Sequence, residues 1–348
     1  MKNKFYLLII AIIFSISITS CDNTTNEPSA YTNGVFVTNE GAFGSSNSEL
    51  SFINSDGSVN NNIYGANNSS AILGDVFQSM TIANGNAYLV VNNSNKVVVV
   101  DIDNLQIKAS ITGLIQPRYI ATYGGKGYVS EWHSFGNNGY LKIIDLSTNT
   151  IVDSVEVGKQ ADQIMVVDDN ILVANSGDTT LHLVNTITLA KTNIGDVDFP
   201  RYVSKTSDGN IWILYTGKPS WEAGGPTDGG LLVLNSTATV IVKNINIGST
   251  SVANPSQLAT DGNNLYYEYQ GDLHKLDKSA TVAPASPFVI APATYFYGLG
   301  YYAAGDVLYI GDAGNFSTSG TVKKLNATTG ALLDTYNVGI APNGFVLN

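Results

Sequence analysis

Apolar residues in this chain come in short runs, and each run is closed by Gly, Asn, Asp or Ser. Val35-Phe36-Val37, Tyr88-Leu89-Val90, Tyr128-Val129, Ile171-Leu172-Val173, Ile211-Trp212-Ile213, Leu265-Tyr266-Tyr267 and Val307-Leu308-Tyr309 are seven such runs. They are too short for amphipathic helices, and no stretch holds a convincing 3.6-residue period, so they predict buried β-strands between tight turns. Phe36, Tyr88, Tyr128, Leu172, Trp212, Tyr266 and Leu308 stand 52, 40, 44, 40, 54 and 42 residues apart. That is the period of a four-stranded propeller blade.

Each period parses alike. In the second, Ser79–Ile82 reads as the inner strand, Ala83-Asn84-Gly85-Asn86 as a tight turn, Ala87–Val91 as the return, Lys96–Ile102 as a third strand and Ile107–Ile111 as the outer one. The third strand ends in Asp or Asn in several repeats (Asp145, Asn235, Asp277, Asn326), where the side chain can fold back onto the next turn. Pro117, Pro200, Pro255 and Pro342 open inner strands, yet no blade follows Pro342 and the run at Gly34 has no inner strand before it. Ala341–Leu347 is therefore expected beside Val35–Asn39, closing the ring and removing free edges. The predicted fold is all-β: a seven-bladed β-propeller over 34–348, closed by pairing of the N- and C-terminal strands in the first blade.

Composition adds to this picture. Of 348 residues only 13% are charged and 44% are hydrophobic, which suits a large core. The formal charge is −11, and Arg118 and Arg201 are the only arginines, so no basic stripe exists for nucleic acid. At the N-terminus, Lys2 and Lys4 precede the apolar run Phe5–Ile18. That run is short for a membrane span and suits a signal peptide over 1–20. Ile18-Thr19-Ser20-Cys21 resembles a relaxed bacterial lipobox. Cys21 is the only cysteine, which rules out an intrachain disulfide framework and makes it the expected lipidation site. Residues 21–33 read as a flexible tether. A lipid-anchored bacterial lipoprotein is expected.

If strands A to D run outward from the axis, the A–B and C–D turns share one face and the B–C and D–A loops share the other. The first set is short and stereotyped. The second varies in length and carries aromatics, among them Phe43, Trp132, His133 and Trp221, so it is the expected binding face. Trp212 lies in a strand and is expected in the core. Arg118 and Arg201 occupy matching places in Pro117-Arg118-Tyr119 and Pro200-Arg201-Tyr202. They read either as a grip on an anionic or amide-rich ligand or as channel salt bridges with Asp75 or Asp162. His133 has no partner at metal-ligand spacing and reads as a hydrogen-bonding loop residue, so no metal and no cofactor are expected.

Asn39-Glu40-Gly41-Ala42-Phe43, Leu73-Gly74-Asp75-Val76-Phe77-Gln78-Ser79-Met80, Val91-Asn92-Asn93-Ser94 and Pro117-Arg118-Tyr119-Ile120 together resemble the YncE-like surface propeller lipoproteins of Bacteroidetes. Among these the cobalamin-capturing lipoproteins look most similar; they cap a TonB-dependent vitamin B12 transporter. The resemblance implies an outer-membrane lipoprotein, facing the cell surface or the periplasm, that captures ligand for such a transporter. An amide-rimmed corrinoid needs flat aromatics and many amide or hydroxyl partners. Asn39, Gln78, Asn92, Tyr119, Gln163, Asn175, Tyr202, Gln257 and Tyr297 can supply these beside Trp132, Trp221 and the two arginines. A small-molecule ligand, the transporter and the membrane are thus the expected partners, and no catalysis is expected. Two alternatives stay open. One is an adhesion or scaffold propeller that binds protein or glycan. The other is a lactonase-like enzyme holding a channel cation with Glu40, Asn92, Asn175 and Asp312.

Overall fold

The computed structural model describes residues 31–134, 136–248 and 254–348. The expected leader, Cys21 and all but the last three residues of the tether lie outside them. Seven antiparallel sheets make up the described chain. Their inner strands are Pro342–Leu347, Phe77–Ala83, Pro117–Tyr123, Ala161–Val167, Pro200–Lys205, Ser256–Thr260 and Phe296–Tyr302, in blade order from the first. The second blade follows the sequence parse closely, with strands Phe77–Ala83, Asn86–Val91, Lys96–Asp101 and Ile107–Ile111.

The seam closes as expected. Val35–Asn39 pairs antiparallel with Pro342–Leu347 on one side (Val35 opposite Leu347, Val37 opposite Phe345) and with Glu49–Ile53 on the other. No edge of the first inner pair is left open.

Seven buried apolar clusters lie between neighbouring blades, one at each junction. The period-two geometry of a strand produces this division. Val35 and Val37 face the seventh blade, meeting Val307 and Tyr309, while Phe36 between them faces the second and meets Phe77 and Leu89. Likewise Tyr88 and Val90 face the third blade, and Ala87, Leu89 and Val91 face the first. A strand buried on both faces needs an unbroken apolar run, which is why the runs do not alternate. Trp212 is 1% exposed in the junction between the fifth and sixth blades, and its Nε1–H donates to Thr206 Oγ1 at 3.1 Å.

The turns follow the predicted chemistry. Asn84 and Gly85 both take positive φ (52° and 70°), which a two-residue hairpin turn of this hand requires. Asp101, Asp145 and Asp277 each accept the backbone N–H two residues on, at 2.8–2.9 Å.

Two blades depart from the regular plan. In the first, the outer strand is only Val59–Asn60, and the chain turns into a short helix, Ile63–Asn67. Ile63 and Tyr64 wedge into the junction with the second blade, and Asn68 Nδ2 bonds Leu105 O at 2.8 Å. Five residues is too short a span for helical periodicity to register in sequence. In the sixth, the regular sheet has three strands, and the outer position is held by one bridge between Leu273 and Val289. Pro284, Pro287 and Pro292 flank that bridge, and proline brings no N–H to a ladder.

All seven inner strands share one irregularity that the sequence did not announce. Each skips register just after entry: between Phe77 and Ser79, Pro117 and Ile120, Ala161 and Ile164, Pro200 and Tyr202, Ser256 and Leu258, and Phe296 and Gly298, and at Pro342 opposite Asn39. A bulge re-aims the side chain it leaves unpaired. The residues in the skips are Gln78, Arg118 with Tyr119, Asp162 with Gln163, Arg201, Gln257, Tyr297 and Asn343. The ring thus presents seven polar stations at one mouth of its channel.

Candidate functional site at the channel mouth

The mouth on the B–C and D–A face opens into a cavity of about 950 Å³. This is within the usual range for a small-molecule site. Met80, Leu258, Leu299 and Phe345 form its apolar floor, from residues one or two places beyond the bulges. Phe43, Trp132, Tyr295 and Phe316 stand around its rim.

Asp162 organises one side. It is fully buried, and it pairs with Arg118 Nε through Oδ1 and with Arg201 Nε through Oδ2, both at 3.3 Å. Ser176 Oγ donates to Oδ2 at 3.0 Å. The two arginines then diverge. Arg118 is 6% exposed, donates from Nη1 to Gln78 Oε1, and lies with its guanidinium carbon 4.3 Å from the Trp132 ring centroid. It is committed to the protein. The Arg201 side chain is 39% exposed and lines the cavity, and among the described residues its one ion pair runs through Nε. The salt-bridge alternative thus holds for both arginines through Asp162. Asp75 takes no part: it accepts from Gly44 N at 3.0 Å and from Asn93 Nδ2 at 2.5 Å.

The opposite side is acidic. Glu40 accepts from Tyr297 O–H at 2.7 Å and from Asn343 Nδ2 at 2.8 Å. Burial pushes its carboxyl above the usual range, against the pull of the Tyr297 hydroxyl, Arg118, Asn343 and Arg201. Glu268, from the sixth blade, accepts from Ser256 Oγ and from Gly271 N–H, the latter at 2.7 Å, and burial raises it too. Burial also raises the phenols of Tyr119, Tyr202 and Tyr297, the first further by Asp162 and the last by Glu40. All three stay neutral and keep their O–H.

A family model described as a domain of unknown function, DUF5074, matches residues 33–339. The chain belongs to that family. No curated protein matches the sequence. Solved propellers do match this DUF5074 chain in shape. A quinoprotein alcohol dehydrogenase-like protein from Bacteroides thetaiotaomicron aligns with a TM-score of 0.68 at 14% identity, over 91% of this chain and 78% of that one. The periplasmic gluconolactonase of Pseudomonas aeruginosa gives 0.64 at 13%, over 90% and 98%. A putative 6-phosphogluconolactonase from Bacteroides fragilis gives 0.63 at 12%, over 92% and 99%. At these identities the likeness is one of fold. It nevertheless overturns the expectation that the chain is not an enzyme. Propellers described as a gluconolactonase, a putative 6-phosphogluconolactonase and a quinoprotein dehydrogenase-like protein share this architecture.

The structure gathers most of the sequence-predicted residues of this DUF5074 propeller. Phe43, Gln78, Asn92, Arg118, Tyr119, Trp132, Gln163, Arg201, Tyr202, Gln257 and Tyr297 all line the cavity. Several also brace neighbouring blades. Asn92 Nδ2 donates to Pro117 O at 3.0 Å, Gln163 Oε1 accepts from Val203 N at 2.8 Å, and Gln257 Nε2 donates to Tyr297 O at 2.8 Å.

Four predicted residues lie elsewhere. Asn39 and Asn175 are fully buried at strand ends, where Nδ2 bonds Ser51 Oγ (2.9 Å) and Thr180 O (2.9 Å). His133 belongs to a separate shallow recess with Tyr140, Glu156 and Lys159. Trp221 is 69% exposed on its long loop and does not line the cavity, whereas Trp132 does. The hard-cation set does not converge either. Asp312 instead accepts the N–H groups of Thr294, Tyr295 and Gly314 at 2.8–3.0 Å.

Glu268 and Asn343 lie outside the sequence-predicted residues, while Glu40 enters them only in the cation set and Asp162 only as a salt-bridge partner. Asn343 had a signal: Pro342-Asn343 repeats the placing of Pro117-Arg118 and Pro200-Arg201. Glu268 had none, being one more polar residue at a strand end.

Proposed function

We propose that this chain is a ligand-capturing propeller that holds a soluble organic molecule with at least one acidic group at the mouth of its channel. The observation that carries this reading is Arg201, pinned through Nε by buried Asp162 yet partly exposed in the lining of the cavity. A pre-oriented guanidinium in a partly desolvated cleft is suited to a carboxylate or phosphate. Three neutral phenols and the amides of Gln78, Gln163 and Gln257 surround it and suit a ligand rich in oxygen or amide groups. A cobalamin-like corrinoid, with amide rim and phosphate, is one cargo of this chemistry. The lipobox-like Cys21 and the resemblance of the first third of the chain support a lipid-anchored protein serving a TonB-dependent outer-membrane transporter.

The test uses the mature lipoprotein in detergent. It is mixed with cyanocobalamin and followed by absorbance and co-elution, and titrated calorimetrically with gluconate. Saturable binding of either ligand, weakened at least tenfold by Arg201→Gln, is expected. Binding of neither, or binding unchanged in Arg201→Gln, overturns the reading.

A second reading is hydrolysis of a sugar lactone in the same cleft. The feature favouring it is Glu40, a carboxyl that lines the cavity opposite the arginines and that burial raises above its ordinary value, placing a proton-transfer group against any bound ligand. Proton release from glucono-δ-lactone in a pH-stat, abolished in Glu40→Gln, supports it. A rate equal to the uncatalysed one excludes it for that substrate.

A further inference from the structure

The charges at the mouth are divided by blade. Arg118 and Arg201 stand on the third and fifth blades with Asp162 on the fourth between them. Glu40 and Glu268 stand on the first and sixth blades with Tyr297 on the seventh between them. In a ring of seven these are two opposing arcs. Arg118, Arg201, Glu40 and Glu268 are the only formally charged residues lining the cavity among those described. With Asp162 behind them, two guanidinium groups face three carboxylates, so the mouth lacks a cation.

The deficit lies on the acidic arc. Among the described residues neither Glu40 nor Glu268 forms an ion pair, whereas Asp162 forms two. Each oxygen of Glu40 takes one neutral donor, Tyr297 on Oε2 and Asn343 on Oε1, and keeps a lone pair for another. Burial raises both carboxyls, and for Glu40 the distant pull of Arg118 and Arg201 does not bring it back to its ordinary value. A purely anionic ligand would satisfy Arg201 and worsen the imbalance.

We propose that the mouth takes a dipolar ligand, whose acidic group meets Arg201 and whose protonated amine meets the Glu40 and Glu268 arc. The chemical class is a small amino acid, an amino-sugar acid or a molecule ending in such a unit. This rests on the mouth being the ligand site and goes further by naming a charge on each side of the ligand.

Three matched probes separate the charges: gluconate (acid only), glucosamine (amine only) and glucosaminate (both), each titrated calorimetrically into the mature protein at pH 7. Glucosaminate is expected to bind at least tenfold tighter than either of the others. In Glu40→Gln/Glu268→Gln its affinity falls while that of gluconate rises, because a repulsive charge has gone, and the ratio drops below about threefold. Arg201→Gln is expected to erase the advantage of glucosaminate over glucosamine. Circular dichroism melts of each variant confirm that the ring is folded. Gluconate binding as tightly as glucosaminate, or an unchanged ratio in the double variant, overturns the dipolar proposal and leaves anion capture standing. If none of the three binds, the dipolar proposal falls together with the sugar-acid form of the reading it rests on.

Discussion

The two ends of the ring are made from the same strands yet are held together differently. At the end carrying the A–B and C–D turns, the recurring side-chain bonds are local: Asp101, Asp145 and Asp277 each reach a backbone group two residues away. At the mouth the bonds span a whole blade. Arg118 reaches Gln78 and Asp162, 40 and 44 residues away, and Gln163 and Gln257 each reach a partner 40 residues on. The turn end has blade-to-blade bonds too, such as Ser207 Oγ to Gly262 O at 2.8 Å, but among the described residues no buried ion pair holds it, whereas buried Asp162 ties three blades together at the mouth. The ion-paired network of the mouth is a property of the assembled ring.

The most severe test of this contrast removes what assembles the ring. Deleting Pro342–Leu347 strips the first blade of its inner strand, opens an edge beside Val35–Asn39 and takes Asn343 from Glu40. Loss of a cooperative thermal transition is expected by circular dichroism; a variant still melting as one unit would show that closure is dispensable.

Next in size is Asp162→Asn. It leaves Arg118 and Arg201 without their shared countercharge, Arg118 in a nearly fully buried place. A loss of about 3–5 kcal/mol in urea unfolding is expected, the usual consequence of breaking a buried pair from one side. Ligand binding should fall with it.

Asn84→Ala is the counterpart at the opposite end. A positive φ is strained for alanine, so a loss of roughly 1 kcal/mol is expected with ligand affinity unchanged. A large effect of Asn84→Ala on affinity would mean the two ends are not separable.

The smallest effect concerns pH. Glu268 is raised by burial, so in the folded state it holds its proton to higher pH than in the unfolded chain. Its contribution is fully present below the unfolded value and is lost as pH rises through the folded one. Glu268→Gln should therefore melt a degree or two higher than the parent at pH 7 and no higher at pH 4, as read by scanning calorimetry.

The same contrast explains what could be read from the sequence. Strands, turns, blade count and seam all have local or simply periodic signatures. Trp212 in the core, the Asp turns and the Val35–Leu347 seam follow from them directly. At the mouth, Arg118 and Arg201 were legible because they are scarce and matched by proline, but their joint hold on Asp162 was not. That depends on a register skip repeated in all seven inner strands, and a bulge changes which way a side chain points without changing which residues surround it in sequence. Trp221 misled for a related reason: an aromatic in a long loop shows where the chain leaves the scaffold, not where it returns. The sixth blade's missing regular outer strand has a local signal in Pro284, Pro287 and Pro292, but the period alone conceals it.

The seam has a consequence for how the chain can be rewired. Gly34 N–H donates to Asn348 O at 3.2 Å, and Asn348 Nδ2 to Tyr31 O, so the first and last described residues of the ring are neighbours. The order of blades in space is a circle, and only the polypeptide assigns it a start. Joining residue 348 to residue 31 through a short Gly-Ser bridge, and reopening the chain at Asn84-Gly85, would move the break from an inner strand pair to an exposed hairpin while leaving every blade junction intact. Such a circular permutant carries the seam as an ordinary covalent turn and keeps all seven stations of the mouth.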